Sequence, residues 1–486
     1  MTSELCGFSA TELARLIRAK QVAARDVVQA HLEQIERINP AVNAIVTLVP
    51  EQAMAAARQA DEQLVRGSNV GPLHGLPMTI KDTIETAGLR TTAGAEIYAQ
   101  HVPAADAPAV ARLRGAGAVI FGKTNTPTLA MDAQTYNPIF GTTNNPWDLS
   151  RAPGGSSGGA AAALAAGLTA LDMGSDIGGS IRNPAHYCGV YGFKPTYGII
   201  PTRGHIPPPP GVRSEKDIDA LGTLGRGADD LELALDVLAG PDDDRAVAWR
   251  LALPPPRRAS LRAYRIAAWL DDPACPVDAA VLERLEAAVA ALRAAGVQVD
   301  ERARPGCTLA AADRDYLSLL FATTFAGVAD VAFQSMSVFA DQLAETDDGL
   351  LARFARFGTQ RHRSWLSVHE QREQYRAQWA AFFGDYDVLL CPITPVAAIP
   401  HDQNPDMLAR SISVNGQARP YNDQSVWAGV FGMAYLPAAV APAGRTRTGL
   451  PVGLQIVGPY LEDRTPIDVA RRLADVIGGF EPPPGY

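Results

Sequence analysis

The sequence predicts an α/β protein, and three observations carry that reading. Between Pro72 and Gly240, short apolar runs such as "LPMTI", "AVIFG" and "GVYGF" alternate with glycine-rich turns and alanine-rich helical stretches. Strand-like runs separated by helical patterns mark a sheet with helices packed against it. A strand–helix–strand order recurs downstream in "YRIAAWL", "DAAVLERLEAAVAALRAAG" and "VQVDE". Strands of similar texture also stand on both sides of residues 240–260, "GPDDDRAVAWRLALPPPRRAS", an acidic and then proline-rich connection. That placement predicts one continuous sheet rather than two domains.

The elements follow in order. "SATELARLIRAK" opens on a capping serine, Ser9, and "RDVVQAHLEQIERIN" runs to Pro40, both with apolar residues at helical spacing. "EQAMAAARQADEQLVRG" reads as a third helix closed by Gly67. Residues 308–384 are helical in pattern and carry aromatics, strand-like runs return at "YDVLLCP", "LPAAVAPAG" and "LPVGLQIVG", and "DVARRLADVIGG" is a last helix. The expectation is a single domain over 1–486. N-terminal helices fill 1–70, a core 71–240, and 241–486 completes the sheet with 308–384 on the substrate side.

Composition bounds the function. The 486 residues are 47% apolar, with a mean hydropathy of −0.02, which is ordinary for a soluble globular chain. A net charge of −9 argues against nucleic acid, which rewards basic surfaces. Cys6, Cys188, Cys275, Cys307 and Cys391 are scattered and never spaced as C-x-x-C, so a reducing compartment is expected. "MTSELCGFSATELARL" lacks the basic and apolar regions of a signal peptide, and Gly158 to Leu171 is too short an apolar run for a bilayer. A cytoplasmic protein with no membrane partner is the expectation.

Several patterns compete for chemistry. "GAVIFGKT" fits G-x4-G-K-[ST], but its variable positions are strand residues and Pro127 breaks the helix a P-loop needs. "GGSSGG" matches G-x-S-x-G at both Ser156 and Ser157, yet "NNPWDLSRAP" before it is no buried strand. By itself it reads as a flexible turn. The helix-forming "AAAALAAG" that follows would point its positive end at the serines. "SDIGGSIR" places Ser180 after two glycines, either an ordinary tight turn or a run of unobstructed N–H groups beside a nucleophile. A base for Ser180 could be His186, which would need an orienting carboxylate. It could instead be Lys81, used neutral at the end of the apolar run "PMTI" or else bridged to Asp82.

Together, "GLPMTIKD", "GKTNTP", "FGTTNNPWD", "GGSSGGAAAALAAG" and "GSDIGGSIRNPAHYCGVYGFKPTYG" occur in the order and spacing of the amidase signature family. The chain closely resembles that family of serine amidohydrolases from about Leu73 to Gly240, and again at "YDVLLCPITP" and "GLPVGLQIVG". The resemblance implies a large twisted mixed sheet covered by helices on both faces. It also implies a Ser–cis-Ser–Lys triad in which Ser180 is the nucleophile, Ser156 the bridge and Lys81 the base. The bridge is Ser156 because 24 positions separate it from Ser180, a spacing Ser157 misses by one. A cis peptide, here Gly155–Ser156, precedes the bridging serine in the family. The oxyanion hole falls on the backbone N–H groups of Ile177, Gly178, Gly179 and Ser180, where a Cβ on either glycine would obstruct the carbonyl. Asp176, Arg182 and Ser157 would hold these turns. No metal or organic cofactor is implied, and family members are often homodimers.

Substrate choice lies outside the signature. Met131 and Gln134 are candidate pocket residues, with "RGHIPPPPG" and 308–384 as candidate walls. The apolar Ala, Met, Ile and Phe residues around 129–140 favour a small-molecule aryl or alkyl amide, with esters and carbamates (urethanes) as further substrates. The alternative within the family is the glutamine-hydrolysing A subunit of a tRNA-dependent amidotransferase. A noncatalytic binding protein is the third reading, opposed by the intact Lys81, Ser156 and Ser180.

Overall fold

Eleven strands from both halves of the chain form one mixed sheet. In the computed structural model, which describes residues 2–486, they are β1 (Ile45–Leu48), β2 (Pro77–Lys81), β3 (Val119–Thr124), β4 (Leu171–Asp176), β5 (Tyr191–Lys194) and β6 (Ala220–Gly225). Then come β7 (Arg265–Ala268), β8 (Gln298–Asp300), β9 (Val388–Cys391), β10 (Ala438–Arg445) and β11 (Pro451–Val457). Their spatial order is β1-β3-β2-β4-β6-β5-β10-β11-β9-β7-β8. Strands β3, β2 and β4 run parallel, the pairs from β4 through β6, β5, β10 and β11 to β9 are antiparallel, and β9, β7 and β8 are parallel again. The sheet is covered by helices on both faces, as the resemblance implies. Met1, the first residue of the helical region expected at 1–70, lies outside the described residues.

Local chemistry explains the elements. Ser9 caps Ala10–Arg18 by accepting from the Glu12 amide at 3.1 Å. The next helix was expected to stop at Pro40 but continues to Val42. A proline two residues from a helix end removes one hydrogen bond and leaves the rest of the helix intact. Asn43 then ends it in the left-handed conformation at φ 53°. Strand β1 follows directly, and its four residues escaped the sequence pattern because only Ile45 is fully buried.

"AVIFGKT" is strand β3, buried throughout, so Lys123 is a core residue. Its ammonium donates to Ile84 O, Thr86 Oγ1 and Thr91 Oγ1. The alanine-rich helix Gly158–Ala165 is buried at every position. Its small side chains let the backbone approach β3 closely, and a Cβ on Gly159 would overlap the Asn125 backbone.

The topology positions a site. Strands β3, β2 and β4 end together, with Lys81 paired to Thr124 and Ile80 to Met173 in register. Crevices at the carboxyl ends of parallel strands are where α/β sheets place their ligands. Among the described residues no helix is long and apolar enough to cross a membrane.

Candidate active site

Lys81 is the last residue of β2 and is fully buried. Its Nζ lies 2.6 Å from Ser156 Oγ and 3.0 Å from Ser175 Oγ. Both partners are hydroxyls. Burial is the dominant influence and pulls the ammonium pKa down to about 7, against the opposing pull of Asp219, Asp176 and Asp172. Asp82 is not its partner: that carboxylate accepts from the Thr92 amide and hydroxyl. The lysine is therefore held where neutral and charged forms coexist near neutrality.

Ser156 follows a cis peptide bond from Gly155 and is buried. The Ser157 amide donates to Ser180 O at 3.0 Å, tying the two serine loops together, and the Ser157 hydroxyl reaches Ser175 O at 3.3 Å. The helix Gly158–Ala165 begins immediately afterwards, so its positive end faces the serines. Ser180, unlike Ser156, is only half-buried and opens on two lobes of a cavity.

The turn from β4 to Ser180 is built on Asp176. Its carboxylate accepts from the amides of Gly179 (2.8 Å), Ile181 (3.0 Å) and Arg182 (3.3 Å), and from the Arg182 guanidinium at 2.7 and 3.0 Å. Burial pushes this carboxyl upward, but the buried Arg182 outweighs it and holds the pKa at about 2. Arg182 is itself fixed by Ala428 O at 2.8 Å and Gln455 Oε1 at 2.7 Å.

This corrects the expected oxyanion set. The Gly179 N–H is taken by Asp176, so it is removed from the group of four. Among the described residues no acceptor takes the amides of Ile177, Gly178 or Ser180, so those three are unclaimed beside Ser180. The reason for the paired glycines also changes. Gly179 has φ +106°, which disfavours a side chain, and a Cβ on Gly178 would overlap the Tyr316 hydroxyl. The protein itself already excludes larger residues here.

The cavity lobes differ in character. One, of about 510 Å³, is lined by Ser156, Ser175, Ser180, His205, Pro207 and Lys216 among others. The other, of about 340 Å³, meets Gly178 and Ser180 and is walled by Tyr316, Leu320, Phe321 and Phe354. Thus "RGHIPPPPG" and the helices of 308–384 both reach the site. Met131 is exposed at the lip and lines both lobes. Gln134 is not a pocket residue: it is buried, exchanging hydrogen bonds with the Asp402 backbone (2.7 and 2.9 Å) and Tyr421 Oη (3.1 Å).

His186 is far from these groups in chemistry. It is buried, its Nδ1 accepts from the Gly453 amide at 2.8 Å, and burial lowers its pKa to about 4. Sequence reasoning missed Ser175, Tyr316 and Asp219 and singled out His205 only as part of its stretch. Ser175 was legible as the neighbour of Asp176 in the signature. The others carry no local signal, because they arrive from segments distant along the chain.

Comparisons with known proteins place the chain in a family. The model of the family described as Amidase matches residues 26–466. The A subunit of the Glutamyl-tRNA(Gln) amidotransferase of Acidothermus cellulolyticus is 34% identical over 482 residues, covering 95% of this chain and 92% of that protein. Among solved structures, one reported for a vestigial protein complex and the origins of an s-triazine catabolic enzyme is 27% identical. It superposes with a TM-score of 0.82, covering 98% of this chain and 100% of that one. A crystal structure of an amidase is also 27% identical, with a TM-score of 0.78 over 97% of this chain and 100% of that one. Matched over most of its length in sequence and in fold, this chain belongs to the amidase signature family, whose hydrolases act on amide C–N bonds.

Proposed function

We propose that the chain hydrolyses an amide through an acyl-enzyme on Ser180, with Ser156 as proton bridge and Lys81 as general base. The observation that carries this reading is the 2.6 Å contact between Lys81 Nζ and Ser156 Oγ, beside a cavity shared with Ser180. Neutral Lys81 takes the Ser156 proton as Ser156 takes that of Ser180, and Ser180 Oγ bonds to the carbonyl carbon. The amides of Ile177, Gly178 and Ser180 receive the oxyanion. The relay then reverses, Ser156 protonates the leaving nitrogen, and the C–N bond breaks. Water repeats the sequence on the acyl-enzyme. Because Ser156 faces the 510 Å³ lobe, the amine leaves on that side and the acyl group occupies the 340 Å³ lobe.

The walls of the acyl lobe support an apolar aryl or alkyl acyl group, borne on an amide or also on an ester or urethane. No lysine or arginine is among the described residues lining it. Its one carboxylate, Asp132, is paired with Arg410 at 2.7 Å and accepts from Tyr421 Oη at 2.6 Å. A free amino acid would find no unpaired counter-charge there. The second reading is hydrolysis of glutamine within an amidotransferase complex, and the names of the sequence relatives back it better than a stand-alone small-molecule amidase.

Initial rates on anilides, aliphatic amides, esters, urethanes and glutamine, for the wild type and Ser180→Ala, separate these. Anilide or alkyl amide turnover lost in Ser180→Ala supports the first reading. Cleavage of glutamine alone replaces it with the second. Turnover that survives in Ser180→Ala overturns the nucleophile.

A further inference from the structure

His205 has no part in the relay just described, yet it reaches the base. Its backbone is bridged to Ile84, three residues beyond Lys81, with the Ile206 amide donating to Thr83 O at 2.7 Å and the Glu85 amide to Gly204 O at 2.8 Å. The buried ring places Nε2 at 2.9 Å from Ser175 Oγ, the hydroxyl that stands 3.0 Å from Lys81 Nζ. Its Nδ1 lies 3.1 Å from Asp219 Oδ2, a charge contact that falls off the line of a hydrogen bond, and Lys216 Nζ is 3.7 Å from the same oxygen. A connected line therefore runs from Lys216 through Asp219, His205 and Ser175 to Lys81 and Ser156.

The protons along that line are constrained. Burial lowers the His205 pKa, which keeps the ring neutral, so one nitrogen carries hydrogen and the other accepts. Burial works against the Asp219 charge, but the Lys216 ammonium and the polar Nδ1–H of the neutral His205 ring hold it below the usual carboxylate range. The negative charge of Asp219 beside Nδ1 favours the Nδ1–H tautomer over a lone pair facing the carboxylate, and leaves Nε2 as the acceptor. Ser175 then gives its hydroxyl proton to Nε2 and can only accept from Lys81. A neutral amine has two hydrogens and one lone pair. With one hydrogen committed to Ser175, the lone pair is free to face the Ser156 hydroxyl.

The remaining acids around the base are otherwise disposed. Asp176 holds Arg182, and Asp172, which burial pushes up to about 8 and so toward the neutral acid, accepts from Thr79 and Thr124 through one oxygen. Asp217 pairs with Arg372, Glu215 accepts from the Thr202 amide, and Asp82 is bound by Thr92.

We infer that His205, oriented by Asp219, is a positioning residue for the general base: it takes the Ser175 proton and thereby turns the Lys81 lone pair toward Ser156. The inference rests on the reading of Lys81 as base. It does not depend on which amide is cleaved.

The test measures Ser180 labelling by a fluorophosphonate, followed by intact mass, beside kcat and KM on the best amide of the panel. His205→Leu removes the acceptor, while His205→Gln offers a carbonyl oxygen that can accept from Ser175. His205→Leu is expected to lower kcat and labelling about 10–100-fold with KM within about twofold. His205→Gln recovers most of that loss. Ser175→Ala combined with His205→Leu is no slower than Ser175→Ala alone, because both act through one path. Wild-type labelling in His205→Leu, a His205→Gln as slow as His205→Leu, or multiplicative losses in the double variant would overturn the inference. Should His205→Leu fail to fold, Ser175→Ala decides: labelling at the wild-type rate overturns the inference, and a loss of about 10-fold or more supports it. Lys81→Met labelling at the wild-type rate instead brings down the base itself, and the inference with it.

Discussion

Lys81 and Asp176 end two adjacent parallel strands, both fully buried, and their surroundings differ in one respect. Asp176 meets a guanidinium and three backbone amides, whereas Lys81 meets hydroxyls. A buried ion with a full set of opposite partners keeps its charge and holds structure; one without them is pushed toward neutrality. The result is a carboxyl at about 2 and an ammonium at about 7 on neighbouring strands. Lys123, one strand over, sharpens the contrast. It too is buried among hydroxyls and a carbonyl, with burial lowering it to about 8, but its partners Thr86 and Thr91 do not line the cavity. In the proposed relay, desolvation prepares a lysine to act as a base, and access to a second serine makes the preparation useful.

The largest effect that would break this comparison lies at Lys81. Lys81→Met should cost about 10³–10⁴-fold in kcat/KM on the best amide substrate while the protein still melts cooperatively. A rate within about tenfold of the wild type would remove Lys81 from the chemistry. On the other strand, Arg182→Leu leaves the Asp176 carboxylate buried without its counter-charge, held only by backbone amides. It should lower the stability in urea unfolding by about 3–5 kcal/mol, since breaking a buried pair costs more than the pair contributes.

Gly178→Ala comes next. The new Cβ overlaps the Tyr316 hydroxyl, an overpacking worth about 1–3 kcal/mol in stability and read together with amide turnover. Tyr316→Phe should restore much of it, since the next ring atom, Cζ, lies 3.6 Å from that Cβ. A double variant no better than Gly178→Ala would put the constraint elsewhere.

The smallest effect is a pH profile. Only the neutral amine accepts a proton, so kcat/KM should rise with pH through about 7, where Lys81 deprotonates. Asp176, already ionised above about 2, should contribute no inflection at neutral pH. An activity that instead falls as pH rises through about 7 would mean that the protonated lysine is the working form.

Much of this was legible along the chain. The strand texture on both sides of 240–260 implied one sheet, and β7 to β11 do join the strands of the first half. "SATELARL" announced its own cap through Ser9, since capping is a contact across three residues. The groups of the candidate site could be named because they lie in short motifs whose resemblance to a family is carried residue by residue. Pro40 misled because a proline's effect depends on how much helix follows it, and only two residues do. Gly179 misled because a glycine pair announces unobstructed N–H groups but not which carboxylate claims one of them.

The sequence alone therefore determined what is local: element types, the cap at Ser9, the glycines of the turn, and the presence of Lys81, Ser156 and Ser180 in their motifs. Tertiary structure decided everything that depends on desolvation and on partners from distant segments. The lowered pKa of Lys81 comes from burial beneath the sheet's end, and His205 and Tyr316 reach the site from segments 25 and 136 residues beyond Ser180. Charge state and hydrogen-bond polarity are properties of an enclosure. No stretch of chain encloses itself.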